Sequence, residues 1–199
     1  SLLISLGVAV IGVAISVLVA YFTARMKSKS SRVLHLVSIT SLAVPGLVLG
    51  LSYALFFNGS FLYSTMAILI LVNIMHFFAS PYMMMYNTFG KLNENLEAVG
   101  ATLGVSRFRI VWDVLLPQAK ATMIEMLAYF FVNSMMTISA VSFLFTMATK
   151  PISLMITTFE GQMMLESAAF ISLVILVVNL LVKGGMNLYK QRILKKESR

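Results

Sequence analysis

The chain has 199 residues, of which 59% are hydrophobic and 11% charged, and its mean hydropathy is +0.92. That composition excludes an ordinary water-soluble domain and makes the bilayer the expected solvent. A formal net charge of +8 would suit a nucleic-acid partner, but the cations flank apolar runs and form no basic face, so no nucleic acid is expected.

A spanning helix needs roughly 20 mainly apolar residues. By that rule the first span covers about 2–24 and the second 33–57, with a third over 61–89. No Lys, Arg, Asp or Glu occurs from Val33 through Gly90. A run about twice one crossing must turn back, and Asn58-Gly59-Ser60 supplies the turn chemistry. Residues 90–121 form a polar loop, followed by a fourth span over 122–145 and a fifth over 167–189. The expected architecture is one all-α polytopic transmembrane bundle of about five spans, taking residues 1–199 as a single domain. Between the last two spans, Ile152, Met155, Ile156 and Phe159 make a helical stripe over 151–159 that suits an interfacial helix.

Of the 15 Lys and Arg residues, all but Lys150 fall on one side of this arrangement. That side is cytoplasmic, placing the N-terminus outside and the C-terminus inside. Lys183, near the end of the fifth span, can snorkel to the headgroups. The first run is unlike a signal peptide, since it is too long and its cations follow it. Because the sequence opens at Ser1 inside an apolar stretch, a trimmed subunit or the C-terminal part of a longer one is expected. With zero cysteines no disulfide or thiolate metal site is available.

Within the loop, Leu96, Val99 and Leu103 have helical spacing from Glu94 onward. Gly104 suits the left-handed residue that closes a helix. Ser106 can cap a second helix over Arg107 to Leu115, and Pro117 opens the following span where a missing N–H is tolerated. Helix, glycine corner and helix make a knob on the cytoplasmic side.

The stretch Leu96-Glu97-Ala98-Val99-Gly100-Ala101-Thr102-Leu103-Gly104-Val105-Ser106, running on to Val114-Leu115-Leu116-Pro117, resembles the EAA loop of binding-protein-dependent ABC importer permeases. That pattern asks for Glu-Ala-Ala, then a glycine after three residues, nine variable residues, an aliphatic, any residue, Leu and Pro. Gly104, Val114, Leu116 and Pro117 match its register, whereas Ala98, Val99 and Gly100 occupy the triplet and Glu97 stands one residue early. Leu42 to Gly50, with Pro45-Gly46, is similar to a Pro-Gly segment of these permeases, and Ser80-Pro81-Tyr82 to the approach to their loop. The run from Asn133 to Phe145 resembles the subgroup importing ferric iron, polyamines, thiamine or aminoethylphosphonate, with a preference for the iron and 2-aminoethylphosphonate branch.

The resemblance implies a type I ABC importer permease fold in a bacterial inner membrane. It implies ATPase subunits, a second permease half and an extracytoplasmic solute-binding protein as partners, besides membrane lipids, with ATP and Mg on the partner subunits and no cofactor here. Glu97, Leu103, Gly104, Val105, Ser106, Arg107, Leu116 and Pro117 would couple to the ATPase, with Leu103 and Val105 filling its groove and Arg107 and Arg109 at the rim.

Polar groups at bilayer depth are costly against lipid and tend to face the bundle or a water-filled path. Pro45, Gly46, Asn73, Asn133, Ser134, Thr137 and Ser139 are the translocation-path candidates, beside the plainer reading of helix packing and bonding to the helix's own backbone. Asn133 and Thr137 are expected on one helix face at i and i+4. His76 and Asn179 read as packing residues, and the 15 methionines as adaptable packing. Glu125 suits the N-terminus of its helix, with a proton relay as the alternative. Pro45-Gly46 is expected to kink its span. The sequence holds no P-loop and no nucleophile with its base, so the chain is not expected to be an enzyme. The rival readings are an ion-coupled secondary transporter, which would want more buried acids, and a non-transporting membrane scaffold.

Overall fold

The computed structural model describes residues 1–26 and 28–197; Lys27, the side chain of Lys196, and Arg199, counted above among the cytoplasmic cations, lie outside the described residues. Among the described residues every regular element is helical. Helix α1 (Leu2–Arg25) runs unbroken, having no proline and a cation in its last turn where the helix dipole favours one. Its buried side is built largely from Ser5, Ala9, Gly12, Ser16 and Ala20, small residues repeating about every turn. Small side chains let neighbouring helix backbones approach closely in a bilayer. A β-carbon at Gly12 would sit 2.9 Å from the Phe130 ring.

After α1 the chain forms α2 (Lys29–Thr40) and a short 3-10 turn (Ser41–Ala43), then α3 (Gly46–Phe56). Pro45 stands before α3 with extended backbone, ψ 139°, and the two halves meet at 109°. The second expected span is therefore a broken pair, far more sharply bent than a kinked helix. Gly59, φ +78°, lies in the expected return turn. The third expected span is likewise two pieces, α4 (Met66–Phe77) and α5 (Ala79–Lys91), bent by 57°. Pro81 lies in the first turn of α5, where its missing N–H would have bonded back across the break.

The loop follows as α6 (Leu96–Thr102) and α7 (Arg107–Ile110), a π turn (Val111–Leu115) and α8 (Leu116–Gln118). Helix α9 (Lys120–Met136) then stops short of the expected Phe145. Thr137 is extended, ψ 135°, and its carbonyl accepts a 2.6 Å hydrogen bond from Ser153 Oγ. The chain turns instead into a 3-10 element (Ser139–Val141) packed on α3 and α4. Gly50 makes that packing possible, since a β-carbon there would lie 2.5 Å from the Ala140 carbonyl oxygen. Helix α10 (Ile152–Gly161) covers the expected outer stripe, but it packs on α9 and α11 through Ser153 and Leu154.

The last helix, α11 (Leu165–Glu197), is 33 residues long. By length and composition two helices can cross a membrane, α1 and α11, or four if each bent pair counts as one span; α9, at 17 residues, falls just under the length of a straight crossing. The core gathers around α1, which packs on α4, α5 and α9. Its largest wholly buried side chains include Tyr82, Phe89, Phe130, Met85 and Leu115. Towards the C-terminal end of α1, Tyr82 Oη donates to Thr23 Oγ1 at 2.9 Å and shares a 2.6 Å hydrogen bond with His35 Nδ1, which ties α1, α2 and α5 together.

Since the neighbour at Gly50 is backbone and cannot rotate away, Gly50→Ala is expected to destabilise the protein by about 1–3 kcal/mol. Gly90→Ala, with nothing within 4 Å of the new carbon, is expected to cost nothing. Thermal unfolding of both variants in detergent checks the pair.

Candidate functional site: the polar loop and the broken-helix centre

The loop is anchored by one guanidinium. Arg25, at the end of α1, donates from Nε to Glu97 Oε1 at 2.7 Å, and its Nη2 pairs with Glu97 Oε2. The fork is bidentate, the geometry in which Arg–carboxylate pairs are strongest. The remaining Arg25 hydrogens reach backbone carbonyls at and just beyond the end of α5, Phe89 at 3.3 Å, Leu92 at 3.1 Å and Asn93 at 2.7 Å. Both charged side chains are shielded, 5% exposed for Arg25 and 17% for Glu97. The hydrogen bonds from Arg25 hold the Glu97 carboxyl below its ordinary value.

Helix α6 closes with a paired hydrogen-bond motif. Val105 N–H donates to the Gly100 carbonyl at 2.8 Å and Gly104 N–H to Ala101 at 3.2 Å, with Gly104 left-handed at φ +70°. This is the Schellman arrangement, and it wants a residue without a β-carbon at that position. Gly100 is needed for a different reason: the Ile110 side chain occupies the space a β-carbon would take. The α6–α7 corner is thus a packed unit. Ser106 caps α7, its Oγ accepting from Arg109 N–H at 3.4 Å. Pro117, which has no N–H for the Asp113 carbonyl and whose ring presses on it, follows a turn widened to a Leu116 N–H to Val111 carbonyl bond. The helix of the span itself starts only at Lys120.

The structure divides the two expected groove-fillers. Leu103 is 73% exposed, whereas Val105 turns inward and packs on the core. The rest of the exposed apolar surface was not anticipated: Val99, Phe108 and Trp112 are also exposed, and the two rings stack at 6.2 Å. The signal was present in the sequence, since Phe108 and Trp112 stand at i and i+4 in a polar loop holding the chain's single tryptophan. Arg25, an outlying cation at the end of a span, carried no such signal. Arg107 is exposed beside this patch, and Leu116 packs against the core.

The translocation candidates are brought together only in part. Gly46, the first residue of α3, faces Ser139 Oγ, and His76 Nε2 lies 3.1 Å from where a Gly46 β-carbon would be. Pro45, Gly46, Ser139 and His76 therefore meet at the break. Asn73, one turn from His76 on α4, is 1% exposed; its amide donates to the Leu69 carbonyl at 2.7 Å, and its Oδ1 has no protein partner. Asn133 and Thr137 do not share a helix face, because α9 ends at Met136. Asn133 donates to Tyr129 of its own helix at 2.8 Å and lines a cavity against α11, while Ser134 Oγ donates to Phe131 at 3.0 Å. Glu125 sits in the second turn of α9 but is also paired with Lys190 of α11. Among the described residues no group of three or more His, Cys, Asp or Glu is placed to hold a metal ion.

Residues 12–195 match the family model described as "Binding-protein-dependent transport system inner membrane component". Two curated relatives are 30% identical over 135 residues, 67% of this chain: the ferric transport system permease protein FbpB of Actinobacillus pleuropneumoniae and the putative ferric transport system permease protein FbpB 1 of Haemophilus influenzae. The aligned part is 20% of the first and 21% of the second, so the chain spans about a fifth of the length of these relatives.

A carboxylate held low stabilises the fold above its unfolded value, ordinarily 4.5, and that contribution is lost as the pH falls through the lower folded value. Hydrogen-exchange protection of residues 92–105 is expected to stay level from neutral pH down to the ordinary carboxylate range and to fall only below it. Glu97→Gln is expected to lower protection by about 1.5–3 kcal/mol at neutral pH and to flatten the acid dependence.

Proposed function

The chain belongs to the family of binding-protein-dependent transport system inner membrane components, and from that membership we propose that it is a membrane-spanning permease subunit of an ATP-driven importer. It forms, with a second permease half, the path for a small solute delivered by an extracytoplasmic binding protein. Ferric iron is the proposed solute, on the strength of the names of the two relatives. ATP and Mg belong to separate ATPase subunits, and the N-terminus lies outside with the C-terminus inside, as the placement of the cations favours.

The observation that carries the reading is the loop surface. Val99, Leu103, Phe108 and Trp112 stand exposed on one rigid corner, beyond the clamp that Arg25 makes with Glu97. Apolar and aromatic anchors with Arg107 and Arg109 at the rim are what a small protein interface uses. A motor docked there pulls on α6, and through Glu97 and Arg25 on α1, which contacts most of the bundle. The solute path is assigned to the break where Pro45, Gly46, Asn73 and Ser139 lie, since irregular backbone at membrane depth is tolerated where it is buried or lines a cavity. Alternating access then is a two-state shift of these broken pairs, biased by nucleotide inside and by loaded binding protein outside.

Trp112→Asp and Phe108→Asp are each expected to weaken ATPase capture by about 2 kcal/mol, near thirtyfold, while leaving the thermal unfolding of the isolated permease unchanged. Pull-down of the ATPase with the purified chain, and uptake of labelled ferric iron by cells carrying the variants, check this. Uptake that persists after ATP depletion and collapses with the ion gradient would overturn it in favour of a secondary transporter.

A further inference from the structure

One groove is left over by the proposed coupling and path. Between α9 and α11 lie two cavities of about 600 and 520 Å³ that share Val132, Leu180 and Lys183 in their walls. The lower one carries the charges: Lys183, Lys190 and Glu125. Lys190 is satisfied by Glu125, and Lys183 has no ion-pair partner among the described residues, so the lower cavity holds one positive charge in excess. The upper cavity is mostly apolar, with Ile175 and Leu176 in its wall. Asn179 also lines it, 6% exposed, with neither its amide nitrogen nor its amide oxygen hydrogen-bonded to protein.

The spacing along α11 gives these features a common meaning. Lys183 stands about 27 Å from Leu165 at 1.5 Å per residue, close to the roughly 30 Å thickness of a hydrocarbon core. With Leu165 at one face of the hydrocarbon core, the Lys183 ammonium falls at the headgroup level of the opposite leaflet. Asn179 is one turn deeper, about 6 Å, and the upper cavity continues to Ser172, about 16 Å from Lys183, or one leaflet's depth. A cation, then an unpaired amide, then an apolar channel follow the order of phosphate, ester carbonyl and acyl chain in a phospholipid.

We propose that the α9–α11 groove is a binding site for one anionic phospholipid of the cytoplasmic leaflet. Lys183 holds the headgroup phosphate, the Asn179 amide donates to an ester carbonyl, and an acyl chain lies between Val132 and Leu176. Basic pockets between helices on the cytoplasmic side are the expected place for such lipids, and an unpaired Asn in hydrocarbon is otherwise costly. The site is independent of which solute the importer carries.

The test uses the permease purified in mild detergent with whatever subunits remain attached, exposed to phosphatidylglycerol or phosphatidylcholine. Native mass spectrometry counts retained lipid, and thermal unfolding reads stabilisation. Phosphatidylglycerol is expected to be retained and to raise the melting temperature more than phosphatidylcholine, which has the same phosphate and esters but no net charge. Lys183→Gln is expected to reduce phosphatidylglycerol retention about fivefold and erase the preference, Lys183→Arg to keep it, and Asn179→Leu to weaken both lipids. Equal retention of the two lipids by the unaltered protein would overturn the proposal without any variant. So would a Lys183→Gln protein that elutes normally and retains the lipid undiminished, displacement of the lipid by soluble glycerol phosphate, or lipid-free cross-linking of Leu180→Cys to a second copy through this groove.

Discussion

A single guanidinium sets the mechanical character of this protein. Arg25 closes the helix around which the core gathers, takes up carbonyls at and just beyond the end of α5, and forks onto Glu97 of the loop. Five donors in a fixed plane suit that task, and a lysine could not make the fork and the backbone bonds together. Because α1 packs against α4, α5 and α9, anything fastened to its C-terminal end is fastened to the core. The Schellman corner at Gly104 and the seating of Ile110 against Gly100 complete a closely packed loop.

The opposite property is built into the middle of the chain. Two expected spans are broken pairs, bent by 109° and 57°, and α9 gives way at Thr137 to a short 3-10 turn. These interruptions converge, for Gly46 and Gly50 of α3 lie directly against Ser139 and Ala140. Broken helices expose backbone groups that must be satisfied within the protein or by a cavity. The chain thus joins a closely packed loop, held by Arg25 and Glu97, to a centre of irregular backbone.

The outer surface follows the same logic of solvent. Exposed Leu, Val, Ile and Phe residues crowd α1, α3 and α11, as a lipid-facing surface requires, and only 17% of the most apolar window of α11 is buried. Where α11 meets α9, the Lys190–Glu125 pair and two cavities lie along the contact, beside Val178 and Val182 packed on the core.

Much of this was legible in residue order because it depends on composition and local geometry. Apolar length marked α1 and α11 as crossings, Gly104 declared its left-handed turn, Ser106 its cap, and Asn58-Gly59-Ser60 the reversal between runs. These follow from hydrophobic period and backbone preference, which neighbours in sequence determine. Partnerships across distance were not legible. Nothing in Arg25 or Glu97, 72 positions apart, announces that they meet, and nothing local says that the Thr137 carbonyl will be taken by Ser153 or that the helix will end at Met136 when the apolar run would have carried it on to Phe145. Which of Leu103 and Val105 faces outward, and the separation of Asn133 from Ser139, depended on the same long-range packing. Periodicity says that a residue wants burial or company; only the assembled bundle decides which neighbour supplies it.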